Sequence, residues 1–217
     1  MEPMFEIIYL LLGLGVSILI LIEAKKNKSF ILFGIMGFTL VFGDAFHLIP
    51  RIINAWGLEV DNIYAMLGIG KLITSITMTI FYIMLYHFFK IRYRIKAPLY
   101  QDIFLYALAI IRIVLCILPQ NEWRAQNTPL SWAIYRNIPF TILGGFMVYF
   151  TYFYAKEKED RCFKYTYLLI LLSFVFYMMT VLLTDINSLF GLMMLPKTVC
   201  YVIILFLGYK ASLHQEE

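Results

Sequence analysis

Histidine and cysteine are scarce in this chain, with three of each in 217 residues. Cys116, Cys162 and Cys200 fall in separate segments without CxxC spacing, which argues against a disulfide framework or a zinc site. His47, His87 and His214 are too few for a multi-histidine metal centre, so neither a metal nor a cofactor is expected. Charge is scarce too: 15% of residues are charged and 62% apolar, a balance foreign to soluble domains. Gly/Ser-rich and Pro-rich linkers are missing, as is a convincing internal repeat, so a single integral membrane domain is expected over residues 1–217. The first apolar run follows Glu2 and Glu6 instead of a basic n-region and lacks a small-residue cleavage site. A retained helix is therefore expected there, not a signal peptide.

Apolar runs near the ~20 residues that cross a bilayer fall at about 5–22, 30–49, 63–89, 100–118, 131–154, 163–183 and 188–209. They predict an all-α fold, a polytopic bundle of seven transmembrane helices with no soluble domain. Cations mark the orientation, because Lys and Arg accumulate in cytoplasmic loops. One set of alternate loops carries Lys25, Lys26, Lys28, Lys90, Arg92, Arg94, Lys96, Lys156, Lys158, Arg161, Lys164 and Lys210. The other carries little beyond Arg51 and Arg124, and it holds Trp56, Trp123 and Trp132, as an interfacial aromatic belt would. The N-terminus is expected outside and the C-terminus in the cytoplasm, in a multi-pass protein of the cell membrane. The net charge of +4 reflects this bias and points to no nucleic acid. The segments 49–60 and 119–129, with their Pro, Asn, Gln and Trp, are expected to cap the bundle or lie along the interface.

Ionisable residues inside spans default to functional hypotheses, since each costs about 2.5–3.5 kcal/mol at mid-bilayer even on insertion scales. At ~1.5 Å per residue, Asp44 lies about 8 Å below the outer end of helix 2. Lys71 lies about 12 Å into helix 3, Arg112 about 9 Å into helix 4, Arg136 about 7 Å into helix 5 and Lys197 about 13 Å into helix 7. Asp185 falls near the outer end of helix 6. All sit in the outer half, while the inner halves are almost wholly Leu, Ile, Phe, Tyr and Met. Scattered ion pairs would favour neither leaflet; one site opening outward would. In GDAFHLIPR, Asp44, His47 and Arg51 stand at i, i+3 and i+7 and share a helix face.

Arg51, Lys71, Arg112, Arg136 and Lys197 face only Asp44 and Asp185, and unpaired buried cations are costly. The excess predicts an anionic ligand, a phosphate or carboxylate, gripped by Arg forks, and a phospholipid or lysophospholipid headgroup sits at this depth. Asn137 and Pro139 are expected to shape the start of helix 5 around Arg136, and Pro196 to kink helix 7. Gln120 and Asn121 either line the mouth or satisfy loop backbone. Each residue has a duller reading as well: Asp44 as interhelical glue to Arg112 or Lys71, His47 as a hydrogen-bonded core histidine, Arg51 as a snorkelling cation. Gly43, Gly68, Gly70, Gly144 and Gly145 are expected to permit close helix packing.

A carboxylate pair with one imidazole suits general acid and base chemistry on a substrate held by Arg and Lys. GDAFHLIPR, with Gly43 and Asp44, and LLTDINSLFG, with Thr184 and Asp185, resemble the Gly-Asp and Ser-Asp pairs of the lysoplasmalogenase family, and Lys197 stands where that family tends to have a basic residue. Ile76 stands where the family usually has a His, and the family usually has eight helices. The resemblance implies hydrolysis of a vinyl-ether bond, with Asp44 and Asp185 dividing the roles of acid, and of base or oxocarbenium stabiliser, and with cations holding the phosphate. The expected function is thus a membrane-embedded lipid-headgroup hydrolase with Asp44, His47 and Asp185 as catalytic residues and Arg51, Lys71, Arg112, Arg136, Asn137 and Lys197 as substrate-binding ones. The alternative is a carrier or sensor that binds a small anion or lipid in the same pocket without chemistry. A retinal-type photoreceptor would need an acidic counterion near Lys197, but helix 3 has no acid and helix 6 no tryptophan.

Overall fold

A computed structural model describes residues 2–24, 29–58, 62–126, 128–156, 160–184 and 186–214. Seven of its helices are long and apolar enough to cross a membrane. They are α1 (Glu2–Glu23), α2 (Ser29–Ala55), α3 (Ile63–Arg92), α4 (Leu99–Ile117), α5 (Leu130–Thr151), α6 (Thr166–Leu183) and α7 (Met194–Leu213). Each packs on its neighbours in sequence, and α1 also packs on α7, which closes the ring. Short loops force consecutive helices to run antiparallel. Thus Phe33 near the start of α2 meets Phe88 near the end of α3, while Arg112 in the second half of α4 meets Phe140 at the middle of α5. The two ends of the bundle consequently carry different residues: one has Lys90, Arg92, Arg94, Lys96, Arg161, Lys164 and Lys210, the other has the three tryptophans.

Two helix boundaries differ from expectation by six residues. Helix α2 continues past Pro50 to Ala55, so Arg51 lies on the helix and not in a capping segment. Pro50 has no N–H for the Phe46 carbonyl four residues back. That carbonyl faces Gly70 of α3 instead, where a β-carbon would collide with it and with the His47 backbone. The close approach explains why position 70 takes glycine. Helix α7 begins only at Met194, after a 3-10 turn over Ser188–Met193. Pro196 therefore sits in the first turn, where a missing N–H costs nothing, and it does not kink a continuous helix. Of the other glycines, Gly144 packs against the Phe174 ring, whereas nothing lies within 4 Å of where a side chain on Gly145 would begin.

The core toward the cation-rich end is aromatic. Phe33, Phe88, Phe89 and Phe163 form an edge-to-face cluster, and Tyr82, Tyr86, Phe150 and Tyr201 are buried with it. Two cations at that end, Lys90 and Arg92, have acidic partners. Lys90 Nζ meets both carboxylate oxygens of Asp102 at 2.7 and 2.9 Å, and Arg92 Nε donates to Asp160 at 2.7 Å. The Asp160 carboxylate also accepts from the Tyr93 hydroxyl and from the N–H groups of Cys162 and Phe163. Burial pushes this carboxyl up, but Arg92 and the two N–H groups outweigh it and hold it below the usual carboxylate range.

A carboxyl depressed on folding contributes stability above its unfolded value, near pH 4, and loses that contribution as pH falls through the lower folded value. Asp160→Asn should therefore cost on the order of 2 kcal/mol at pH 7, the scale of hydrogen bonds to a charged group. Thermal unfolding in detergent should show the gap between wild type and variant at pH 7 and its closure toward pH 3. A gap that persists undiminished in acid would show that the carboxylate charge is not its source.

Candidate functional site

The tryptophan-bearing end is hollow. A cavity of about 260 Å³ is bordered by α2 to α7 and lined by His47, Lys71, Arg112, Arg136, Tyr177 and Lys197 among others. It lies just under the ~300–1,000 Å³ typical of ligand pockets, room for a headgroup and not for a whole lipid. A second cavity of about 50 Å³, between α1, α2, α3 and α7, is lined by Glu6, Tyr9, Asp44 and Arg51. His47, Thr74, Met194 and Lys197 border both. What the sequence presents as one cluster is thus two compartments with a shared wall.

Their charges are opposite in kind. The larger cavity has four cationic side chains and, among its described lining residues, no carboxylate. The smaller one holds two acids, and both have partners: Glu6 Oε1 lies 2.9 Å from Arg51 Nε, and Asp44 Oδ2 accepts from the Tyr9 hydroxyl at 2.5 Å. Among the described residues, the ion pairs are Arg51–Glu6, Lys90–Asp102 and Arg92–Asp160, so none involves Lys71, Arg112, Arg136 or Lys197. Asp185 lies outside the described residues.

Aromatic faces stand in for carboxylates. The guanidinium carbon of Arg112 lies 3.1 Å from the centroid of the Phe140 ring, that of Arg136 lies 4.3 Å from a Trp123 ring, and Lys197 Nζ lies 4.9 Å from the Tyr177 ring. Such contacts supply about 0.5–2 kcal/mol each, less than the several kcal/mol that desolvating a cation costs. Arg112 is the extreme case: it is 2% exposed, and its Nε and Nη1 have no hydrogen-bond partner among the described residues. Lys71 is the opposite, an exposed cation at the edge of the cavity.

The loop after α4 builds one wall. Asn121, fully buried, donates through Nδ2 to the carbonyls of Leu115, Cys116 and Leu118. It thereby satisfies the carbonyls that the end of a helix leaves open. Its Oδ1 accepts from Arg136 Nη1 at 2.9 Å, and Trp123 Nε1 donates to Cys116 O at 2.8 Å. The Trp123 carbonyl packs directly on Gly68 of α3, leaving no space for a β-carbon. Of the two residues proposed for the mouth, Asn121 satisfies backbone and fixes Arg136. Beside Asp44, Thr74 donates to Gly43 O at 3.0 Å and ties α2 to α3.

The remaining expected binding residues separate. Asn137 borders neither cavity: its Nδ2 donates to Ala133 O and its Oδ1 accepts from the Tyr177 hydroxyl, both at 2.8 Å. It positions the ring over which Lys197 lies. Arg51 reaches only the smaller cavity. His47 touches both, and its Nδ1 is buried without a hydrogen-bond partner among the described residues. Glu6 and Tyr9 are partners that sequence reasoning missed; an acid and a phenol on the first turns of α1 were the available signal. Among the described residues, no three His, Cys, Asp or Glu side chains are grouped to hold a metal ion.

An unpaired buried guanidinium sets a stability cost that an apolar isostere removes, by about 1–4 kcal/mol in comparable cases. Arg112→Met should accordingly leave the melting temperature of the ligand-free protein unchanged or raise it. A large fall, measured in the same detergent, would mean that the guanidinium serves structure and not a ligand. No family model, curated protein or solved structure matches this chain at a significant level.

Proposed function

We propose that this protein binds the anionic headgroup of a membrane lipid, a phospholipid or lysophospholipid, in the larger cavity. The observation that carries this reading is the set of four cations, Lys71, Arg112, Arg136 and Lys197, around a cavity without a described carboxylate. A phosphate or carboxylate seated there would complete the donors of Arg112 and offset part of the cluster's charge, replacing a desolvation cost with charge-assisted hydrogen bonds. The bias of cations toward the opposite end supports, by the positive-inside rule, an orientation with this end outside and the C-terminus in the cytoplasm. In that orientation the proposed site faces the outer leaflet of the cell membrane. The packed aromatic core beneath the cavity favours a binding site over a path through the bundle.

Hydrolysis of the bound lipid is the more specific reading, and it is His47 that favours it. An imidazole with an uncommitted Nδ1, placed between the cationic cavity and the Tyr9–Asp44 pair, is suited to pass a proton between a ligand and a carboxylate. The Gly43–Asp44 and Thr184–Asp185 resemblance to lysoplasmalogenases supports the same chemistry. For a vinyl ether, protonation of the alkene carbon would give an oxocarbenium ion; water, losing its proton to a carboxylate or imidazole, would add to it as a hemiacetal. Cleavage of the glycerol C–O bond, with that proton returned to the glycerol oxygen, would release the aldehyde and the glycerophospho-alcohol. Asp44 and Asp185 are the proposed acid and base.

Purified protein incubated with ester and vinyl-ether lysophospholipids should release a headgroup fragment or aldehyde, read by mass spectrometry. Turnover should fall at least 100-fold in Asp44→Asn while lipid-dependent thermal stabilisation remains. Stabilisation without turnover in wild type would leave a carrier or sensor. Neither signal with any anionic lipid would sink both readings.

A further inference from the structure

The cavity's charge and its aromatic faces narrow the headgroup. A zwitterionic phosphocholine or phosphoethanolamine group brings one negative and one positive charge. Its ammonium needs a carboxylate or an open aromatic face. Here the rings that would serve are covered by the protein's own cations: Phe140 by Arg112, Trp123 by Arg136 and Tyr177 by Lys197. A second ammonium would meet like charge at each face.

The balance of charge points the same way. Lys197 also borders the smaller cavity, where Asp44 lies, so Asp44 partly offsets it. Among the described residues, that leaves Lys71, Arg112 and Arg136 without a counter-charge. A phosphodiester carries one negative charge, and a terminal phosphate carries close to two at neutral pH. The terminal phosphate also presents three oxygens, enough for Arg112 and Arg136 to engage from different helices, whereas a diester presents two.

Resting on the headgroup reading above, we propose that the site selects a dianionic phosphomonoester, the group shared by a lipid with a terminal phosphate and by free phosphate, over phosphodiester and zwitterionic headgroups. Arg112 and Arg136 hold the phosphoryl oxygens. Lys71, exposed at the cavity edge, supplies the charge that distinguishes dianion from monoanion.

The test uses matched amphiphiles with one chain and one phosphorus: dodecyl phosphate, dodecyl methyl phosphate and dodecylphosphocholine, with inorganic phosphate beside them. Binding to the full chain in a non-ionic detergent is followed by titration calorimetry and by the shift in melting temperature. Dodecyl phosphate should bind at least tenfold more tightly than either of the other amphiphiles, and Lys71→Gln, a change at an exposed position, should shrink that preference severalfold. Inorganic phosphate binding about as well as dodecyl phosphate would support the same selectivity and assign free phosphate as the source; far weaker binding would support it and assign a lipid. Equal affinity for all three amphiphiles would overturn this selectivity while leaving the anionic-headgroup site intact. Binding of none would overturn both.

Discussion

The arrangement depends on a difference between the two ends of the bundle in how cations within it are satisfied. At the cation-rich end Lys90 and Arg92 reach Asp102 and Asp160, and the aromatic core packs tightly beneath them. At the other end Arg112 is 2% exposed with open donors, and Arg136 and Lys197 beside it rest on rings. Low dielectric makes such unpaired groups expensive. The seven-helix frame supports the cost, and removal of that cost is what a bound anion would contribute.

Much of the surrounding structure serves to hold those cations apart and aimed inward. Asn121 closes the end of α4 and holds Arg136. Asn137 fixes Tyr177 beneath Lys197. Gly68 and Gly70 let the Trp123 segment and α2 lie against α3 without a gap. Glu6 and Tyr9 occupy Arg51 and Asp44, so the acid of GDAFHLIPR does not neutralise the cavity directly. His47 is the point where the acidic and cationic compartments meet.

The helices and the concentration of charge were legible because Lys, Arg and Asp stand out within apolar runs of bilayer length. What could not be read was which of them share a space. Glu6 looks like a terminal charge until the antiparallel register of α1 on α2, with Gly13 against Val41 and Gly37 against Ser17, brings it to Arg51. Asn137 looks like a ligand-binding neighbour of Arg136, but one residue is 100° of helical rotation, enough to turn it toward α6. Pro50 reads as a stop, yet α2 runs on to Ala55, and the Phe46 carbonyl packs against Gly70 of α3, a contact three-dimensional by nature. The 118–126 segment has no periodicity to read, and its role follows only from hydrogen bonds to carbonyls of α4.

A density map of the protein with dodecyl phosphate bound, at a resolution that shows guanidinium planes, addresses the central claim most directly. The account predicts one phosphoryl group in the larger cavity, with oxygens within about 3 Å of the Arg112 and Arg136 nitrogens and with Phe140 and Trp123 still stacked on them. Arg112 and Arg136 paired to protein carboxylates, Asp185 included, with the phosphoryl group elsewhere, would contradict it.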